Sequence, residues 1–313
     1  MRSLNLCDYP RLAGEKDDAP RINRAVNDAP SGRLFIPGGH YYLASPVVVT
    51  NRCSIVMEEN TLLEAIEEMD FVVVWDNVAA MKAGDPNYRN EIFRCAVRGG
   101  VIDGAGKASC LYLAGYKHFT LSDICFMNGK KYGLSVGDGY ELIATNIYMK
   151  CLIKGLKGNI GLYTKHGDSH YTDVVITDYD IGLQDDMGGS NRYTRVHIWT
   201  TRLCDIENSV CFRLRCGEEN DYGEVLLENC YADTGKIGFD IQTTTRLIGC
   251  SYYNNYKMFG LDDVLCVKNS TDKPVIISNC MFRKTSPKAR FYEGNPNENV
   301  IFRDNIVDPG FDS

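Results

Sequence analysis

Short apolar runs alternate with polar residues along most of this chain, and they recur at intervals of about 22 to 32 residues or sums of two such steps. Two segment types carry the recurrence. The first is a short strand holding Asn or Asp followed by an apolar or Cys residue: "LSDICF" at Asp123, "ATNIYM" at Asn146, "VITDYD" at Asp178, "LLENCY" at Asn229, "ISNCMF" at Asn279 and "FRDNIV" at Asn305. The second follows about ten to fifteen residues later: "YGLSV" from Tyr132, "IGLYT" from Ile160, "IGLQD" from Ile181, "VCFRL" from Val210, "IGFDI" from Ile237 and "VLCVK" from Val264. Each run is too short to be stable alone. Stacked in register, such strands pair in parallel and bury one continuous apolar column. The links between them are too short and too polar for the helical crossovers of an ordinary parallel sheet. The pattern therefore predicts an all-β chain, a right-handed single-stranded parallel β-helix with roughly one coil per 22 to 30 residues. The recurring Asn and Asp residues are expected to form an internal ladder at a corner, their side chains bonding the backbone of adjacent coils.

The N-terminal stretch has another period. In "KDDAPRINRAVNDAP", Ile22, Ala25, Val26 and Ala29 share one face of a helix, Asp17 or Asp18 can cap it and Pro20 sits in its first turn. Laid over the first coil, this helix would cover an open sheet end. We read residues 1–313 as a single β-helix domain, with 1–50 as cap and first coil and 77–91 as an inserted loop where the strand rhythm breaks. "RGGVIDGAGK", Arg98 to Lys107, is followed by aromatic and β-branched residues rather than a helical pattern, so it is a coil corner and not a phosphate cradle.

Composition narrows the picture. The chain has 313 residues, 13 cysteines and a formal net charge of −7. Acidity disfavours nucleic acid and anionic membrane as partners. No apolar run is long enough to span a bilayer, and "MRSLNLCDYPRLAGEKDD" has no apolar signal region, so a cytoplasmic location is expected. An odd number of cysteines without a C-x-x-C pair reads as reduced core thiols, with no zinc site and no cofactor.

Aligning the second segments on their Gly-Leu positions turns Leu134, Leu162, Leu183, Phe212 and Phe239 inward, with Val136, Thr164, Leu214 and Ile241. Outward stand Ser135, Tyr163, Gln184, Arg213 and Asp240, and beside them Gly137, Lys165, Asp186, Arg215, Gln242 and Lys268. Column neighbours lie about 4.8 Å apart, so Lys165, Asp186 and Arg215 form a basic, acidic, basic stack. Tyr163 can stack on a sugar ring, and Arg can grip a sugar carboxylate through two parallel hydrogen bonds. A solvated face of cross-strand ion pairs is the plainer alternative. Asp185 and Asp186 are the sharpest feature, because register turns Asp185 inward, where a carboxylate must be paired or protonated. Glycosidic hydrolysis needs two carboxyl groups of different acidity. In "KHGDSH", His166, Asp168 and His170 are a polar loop, or else an acid/base or metal group. Asp262 and Asp263 are a turn or a second acidic pair.

"GEKDDAPRINRAV", "GRLFIPGGHYYL", "SIVMEENTLLEA" and "RGGVIDGAGK" together resemble the opening of the pectin-lyase-like β-helix superfamily, closest to polygalacturonase-type chains of glycoside hydrolase family 28 and to pectate-lyase-like and tailspike chains. The resemblance covers about residues 8 to 110 and implies the fold. It also implies a carbohydrate-active enzyme with an Asp-Asp pair on a strand, which Asp185 and Asp186 match. The partner motifs differ: "YTKHGD", with Asp168, stands where the family has Asn-Thr-Asp, "RLRCGEE" where it has Gly-His-Gly, and no Arg-Ile-Lys appears. The expected catalytic residues are thus Asp185, Asp186 and Asp168. Substrate would be bound by Tyr163, Lys165, His166, Gln184, Arg213, Arg215, Asp240 and Gln242. The substrate is an oligo- or polysaccharide, cleaved or rearranged at its glycosidic bonds. A lyase acting on uronic-acid sugars, with Arg213, Arg215 or Lys165 as base, and a noncatalytic tailspike-type or adhesin binding module remain the alternatives. Because "DNIVDPGFDS" offers no helix to cover the last coil, a homo-oligomer is expected, and the resemblance implies a trimer.

Overall fold

The computed structural model describes residues 2–83, 95–186, 189–216, 223–294 and 299–311. It divides into two compact units, Met1–Lys150 and Cys151–Ser313. In each, a coil consists of a strand in a first ribbon, a sharp corner, a strand in a second ribbon, a turn, and a strand in a third ribbon. All strands pair in parallel with the equivalent strands of neighbouring coils. The winding is right-handed, the sense in which twisted parallel strands are normally connected.

In the first unit, the first ribbon contains Ser3–Asn5, Arg33–Ile36, Ser54–Met57 and Ala96–Arg98, and then the beginnings of the longer strands Thr120–Met127 and Ile143–Lys150. The second contains Gly39–Leu43, Thr61–Ala65 and Val101–Asp103, joined by the ends of those two long strands. Val47–Val49, Phe71–Asp76, Ser109–Ala114 and Tyr132–Val136 form the third. The helix Ala19–Asn27 buries Ile22, Ala25 and Val26, the face its spacing predicts. Its first N–H groups are served in an unexpected way. Asp17 accepts from the Ala19 N–H at 2.8 Å, whereas Asp18 takes Arg11 and Arg21 side chains and the Tyr42 N–H. "RGGVIDGAGK" is the corner expected of it. Gly99 has φ +77°, and a Cβ there would lie 2.1 Å from the Met57 carbonyl oxygen. Of the expected inserted loop 77–91, Val78–Lys82 is a short helix, and 84–91 lies outside the described residues.

In the second unit, the first and second ribbons share the strands His170–Thr177 and Asn191–Trp199, then continue as separate strands: Val225–Glu228, Thr245–Ile248, Val275–Ser278 and Val300–Arg303 in the first, Tyr231–Asp233, Ser251–Tyr253, Met281–Phe282 and Ile306–Val307 in the second. The third ribbon stacks Ile160–Thr164, Ile181–Asp185, Val210–Leu214, Ile237–Ile241, Leu265–Asn269 and Arg290–Gly294. Its inward column runs Leu162, Leu183, Phe212, Phe239 and Val267, all buried. The Phe212 and Phe239 rings stack at 5.1 Å. Full burial of each such side chain is worth about 1.5–3 kcal/mol.

The corner ladder differs from the expectation. Asp123 and Asn146 in the first unit, and Asp173, Arg195, Asn229, Asn279 and Asp304 in the second, all have φ between 52° and 56°, and their side chains are exposed rather than internal. A left-handed residue turns the chain sharply, which Asn and Asp tolerate better than most. Asp178 belongs to the next corner along the coil, not to this one. The inward positions beside the second unit's corners are taken by thiols: Cys230, Cys250 and Cys280 donate to the carbonyls of Tyr193, Leu227 and Leu247 at 3.3, 3.4 and 3.5 Å. Asn305 extends that column, accepting from the Cys280 N–H at 2.9 Å and donating to Ile277 at 2.7 Å. All thirteen cysteines are thiols rather than disulfides. Among the described residues, no helix is long and apolar enough to cross a membrane.

Candidate functional site

The outward face of the second unit's third ribbon presents two polar columns. Register aligns Tyr163, Gln184, Arg213, Asp240, Lys268 and Glu293 in one. Lys268 was expected in the other column. Leu265 pairs with Ile237, which sets Lys268 beside Asp240, two positions from its expected place. The second column holds Asp186, Arg215 and Gln242, whose N–H groups continue the ladder to Thr164, Asp185 and Leu214 at 2.9, 2.7 and 2.7 Å.

The columns interlock by a repeated device, in which an amide reaches the carboxylate two positions away and a guanidinium reaches it from a neighbouring rung. Gln184 donates to both oxygens of Asp186 at 2.9 Å, and Arg215 Nε lies 3.6 Å from Asp186 Oδ1. Gln242 donates to Asp240 at 3.2 and 3.1 Å, and Arg213 Nε lies 3.3 Å from Asp240 Oδ2. The expected stack of Lys165, Asp186 and Arg215 is thus present in its acidic and second basic members. Lys165 is exposed and makes no ion pair among the described residues. The Arg215–Asp186 pair is open to solvent and contributes about 0–1 kcal/mol, so it orders the face more than it stabilises the fold, whereas Asp240 is buried beneath Arg213.

Asp185 faces inward, as its register predicts, and is fully buried. Its Oδ2 accepts from Asn191 Nδ2 at 2.9 Å and from the Tyr193 hydroxyl at 2.8 Å. Burial, with Asp185 beside it, holds the Tyr193 phenol well above its ordinary range, so it stays a donor. Asn191 also donates to the His166 carbonyl at 3.0 Å and accepts from the Ser169 N–H at 3.1 Å. A buried carboxylate thereby fixes the loop that carries Lys165, His166 and Asp168. Asp185 and Asp186, adjacent in sequence, stand on opposite faces of the sheet and cannot flank one glycosidic bond. Asn191 and Tyr193 were missed from sequence; their only signal is the alternation of "NRY" on the strand after the Asp pair.

The residues of "KHGDSH" diverge. Asp168 is exposed at a left-handed corner, φ +58°, His166 is half-buried and His170 is exposed on the first ribbon. No group of three or more His, Cys, Asp or Glu among the described residues is placed to hold a metal ion. Asp262 and Asp263 are engaged by cations: Lys288 lies 2.9 Å from Asp262, while Lys236 at 3.0 Å and Arg290 at 3.6 Å serve Asp263. Hydrogen bonds from Lys288 and Lys236 hold the two carboxyls below the usual range.

No protein-family model and no curated protein matches the sequence. Solved structures match by fold. ORF18 of Geobacillus virus E2 superposes with TM-score 0.62 at 13% identity, covering 97% of this chain and 60% of its own; the chain thus spans less than two thirds of that protein. A family 28 exopolygalacturonase from Yersinia enterocolitica gives 0.58 at 12% identity, covering 100% and 79%. The A-module of a mannuronan C-5 epimerase from Azotobacter vinelandii gives 0.54 at 14%, covering 97% and 95%. With parallel ladders, left-handed corners and these superpositions, the chain has the pectin-lyase-like right-handed parallel β-helix fold.

Proposed function

We propose that this protein is a carbohydrate-active enzyme that binds an acidic oligo- or polysaccharide along the third ribbon of residues 151–313 and breaks or rearranges its glycosidic bonds. The observation that carries the reading is the interlocked outer face. Arg213, Arg215, Lys165 and Lys268 supply cations along one surface, Tyr163 offers a ring at its start, and Gln184 and Gln242 hold the intervening carboxylates in fixed orientations. Guanidinium groups so positioned suit the carboxylates of uronic-acid residues. Asp186 is the proton-transferring carboxylate in this proposal, and Asp168, on the loop leading to the neighbouring coil, is its partner. Asp185 serves from beneath as the anchor of that loop. His166 lies on the same loop as a binding residue. The fold shared with a polygalacturonase and a mannuronan epimerase supports a sugar substrate, because both act on acidic sugars by their names alone.

A second reading has its own observation. Asp186 and Asp240 are each occupied by an amide and a guanidinium, an arrangement that also suits a face that binds without turning over. One experiment separates them. The protein is incubated with oligogalacturonates and oligomannuronates, and new reducing ends, new unsaturated products and changed sugar configuration are followed in parallel. Turnover that Asp186→Asn lowers by roughly a hundredfold or more, the scale of a lost acid/base group, supports the enzyme. Binding without turnover supports the module, and absence of both ends the proposal.

A further inference from the structure

The second ribbon of residues 151–313 carries a different surface. Its outward positions run Val175, His197, Tyr231, Ser251 and Met281 in one column. Trp199, Asp233 and Tyr253 align in the adjacent column. Trp199 is 36% exposed, and His197 and Tyr231 stack at 4.7 Å with their planes 11° apart. The Trp199 and Tyr253 positions are two rungs, about 9.6 Å, apart, with Asp233 on the rung between. Asp233 Oδ1 accepts from the Thr234 hydroxyl. Its Oδ2 accepts no hydrogen bond among the described residues; His197 Nε2, itself without a hydrogen-bond partner, lies 3.9 Å away, too far for one.

We propose that this strip is a second, separate binding site, and that its occupant is an extended neutral polysaccharide laid across the rungs. Rings two rungs apart on one ribbon match the apolar C–H faces of alternate pyranose rings of an extended chain. Asp233 is placed between them to accept sugar hydroxyls. The Tyr231 phenol, pushed up to about 12 by burial and then by Asp233 and Tyr253, remains a donor at neutral pH. Charge selects the occupant. The third ribbon carries Lys165, Arg213, Arg215 and Lys268, whereas the group between these rings is a carboxylate, with Arg283 only at the strip's far end. An acidic sugar is favoured on the former and repelled from the latter. The proposal does not rest on the third-ribbon reading.

The chain has two tryptophans, and Trp75 is fully buried, so exposed tryptophan emission reports Trp199. Cellohexaose or mannohexaose is expected to shift that emission to the blue, saturably, and glucomannan or hydroxyethyl cellulose in a native gel to retard the protein. Trp199→Ala and Tyr253→Ala should each weaken retardation roughly tenfold or more, while Trp199→Phe retains most of it and Arg213→Ala and Asp186→Asn leave it unchanged. Three results overturn the proposal: no shift with either neutral hexasaccharide, retardation that survives Trp199→Ala and Tyr253→Ala in folded protein, or stronger Trp199-dependent retardation by polygalacturonate. Loss of turnover on acidic sugars would leave this test unaffected.

Discussion

At the scale of single residues, buried polar groups decide most. Asp185 is tolerated at zero exposure because two neutral donors from the next strand meet it. Asp185→Asn, which sets an amide donor against those donors, is expected to lower stability by about 1–3 kcal/mol in urea denaturation; unchanged stability would remove its anchoring role. Asp18 offers a pH test. Burial pushes its carboxyl up, but the Arg11 hydrogen bond, the Tyr42 N–H and Arg21 outweigh that and hold it below its ordinary value. A carboxyl depressed in the folded state contributes stability above its unfolded pKa of about 4, and that contribution is lost as pH falls through the folded value. The stability of wild type relative to Asp18→Asn should therefore be constant above about pH 5 and shrink below about pH 4. A gap that instead widens in acid would contradict this origin.

At the scale of elements, the second unit's ribbons are held close by residues without side chains. A Cβ on Gly182 would lie 2.2 Å from Ile198 Cγ2 and 2.8 Å from the Cys211 carbonyl oxygen. Gly182→Ala therefore forces the third ribbon away from the first two and should cost about 1–3 kcal/mol, visible as a lower denaturation midpoint. Ser251→Ala, on the outer face, should be nearly silent. Alternation along "IGLQD" makes the inward and outward sets readable, and Ser135, Tyr163, Gln184, Arg213 and Asp240 all have the predicted facing within their units. Lys268 stands two positions from its expected place because "VLCVK" has no Gly-Leu to fix its register; a difference of two keeps the outward facing and changes only the column.

At the scale of the whole molecule, stability is a sum of coils and of contacts between neighbouring coils. Phe212→Ala should cost about 3–5 kcal/mol. Combined with Phe239→Ala, it should reveal a coupling of about 0.5–1.5 kcal/mol in a double-mutant cycle, because the two rings stack; strict additivity would show that the column transmits nothing between rungs.

What the sequence determined by itself was periodic: the coil repeat, the inward apolar column, the capping helix face and the corner at "RGGVIDGAGK". These follow from alternation and turn chemistry, which are local. The site was partly legible, because facing puts Asp185 inward and Asp186 outward without any coordinates. Tertiary structure alone decided which side chains meet between coils. It brought Asn191 and Tyr193 to Asp185, placed the thiols of Cys230, Cys250 and Cys280 and then the Asn305 amide along the interior at the second unit's corners, and set Trp199, Asp233 and Tyr253 in one line. Such meetings depend on how far each coil advances before the next strand begins, and loops of unequal length hide that register from any fixed interval.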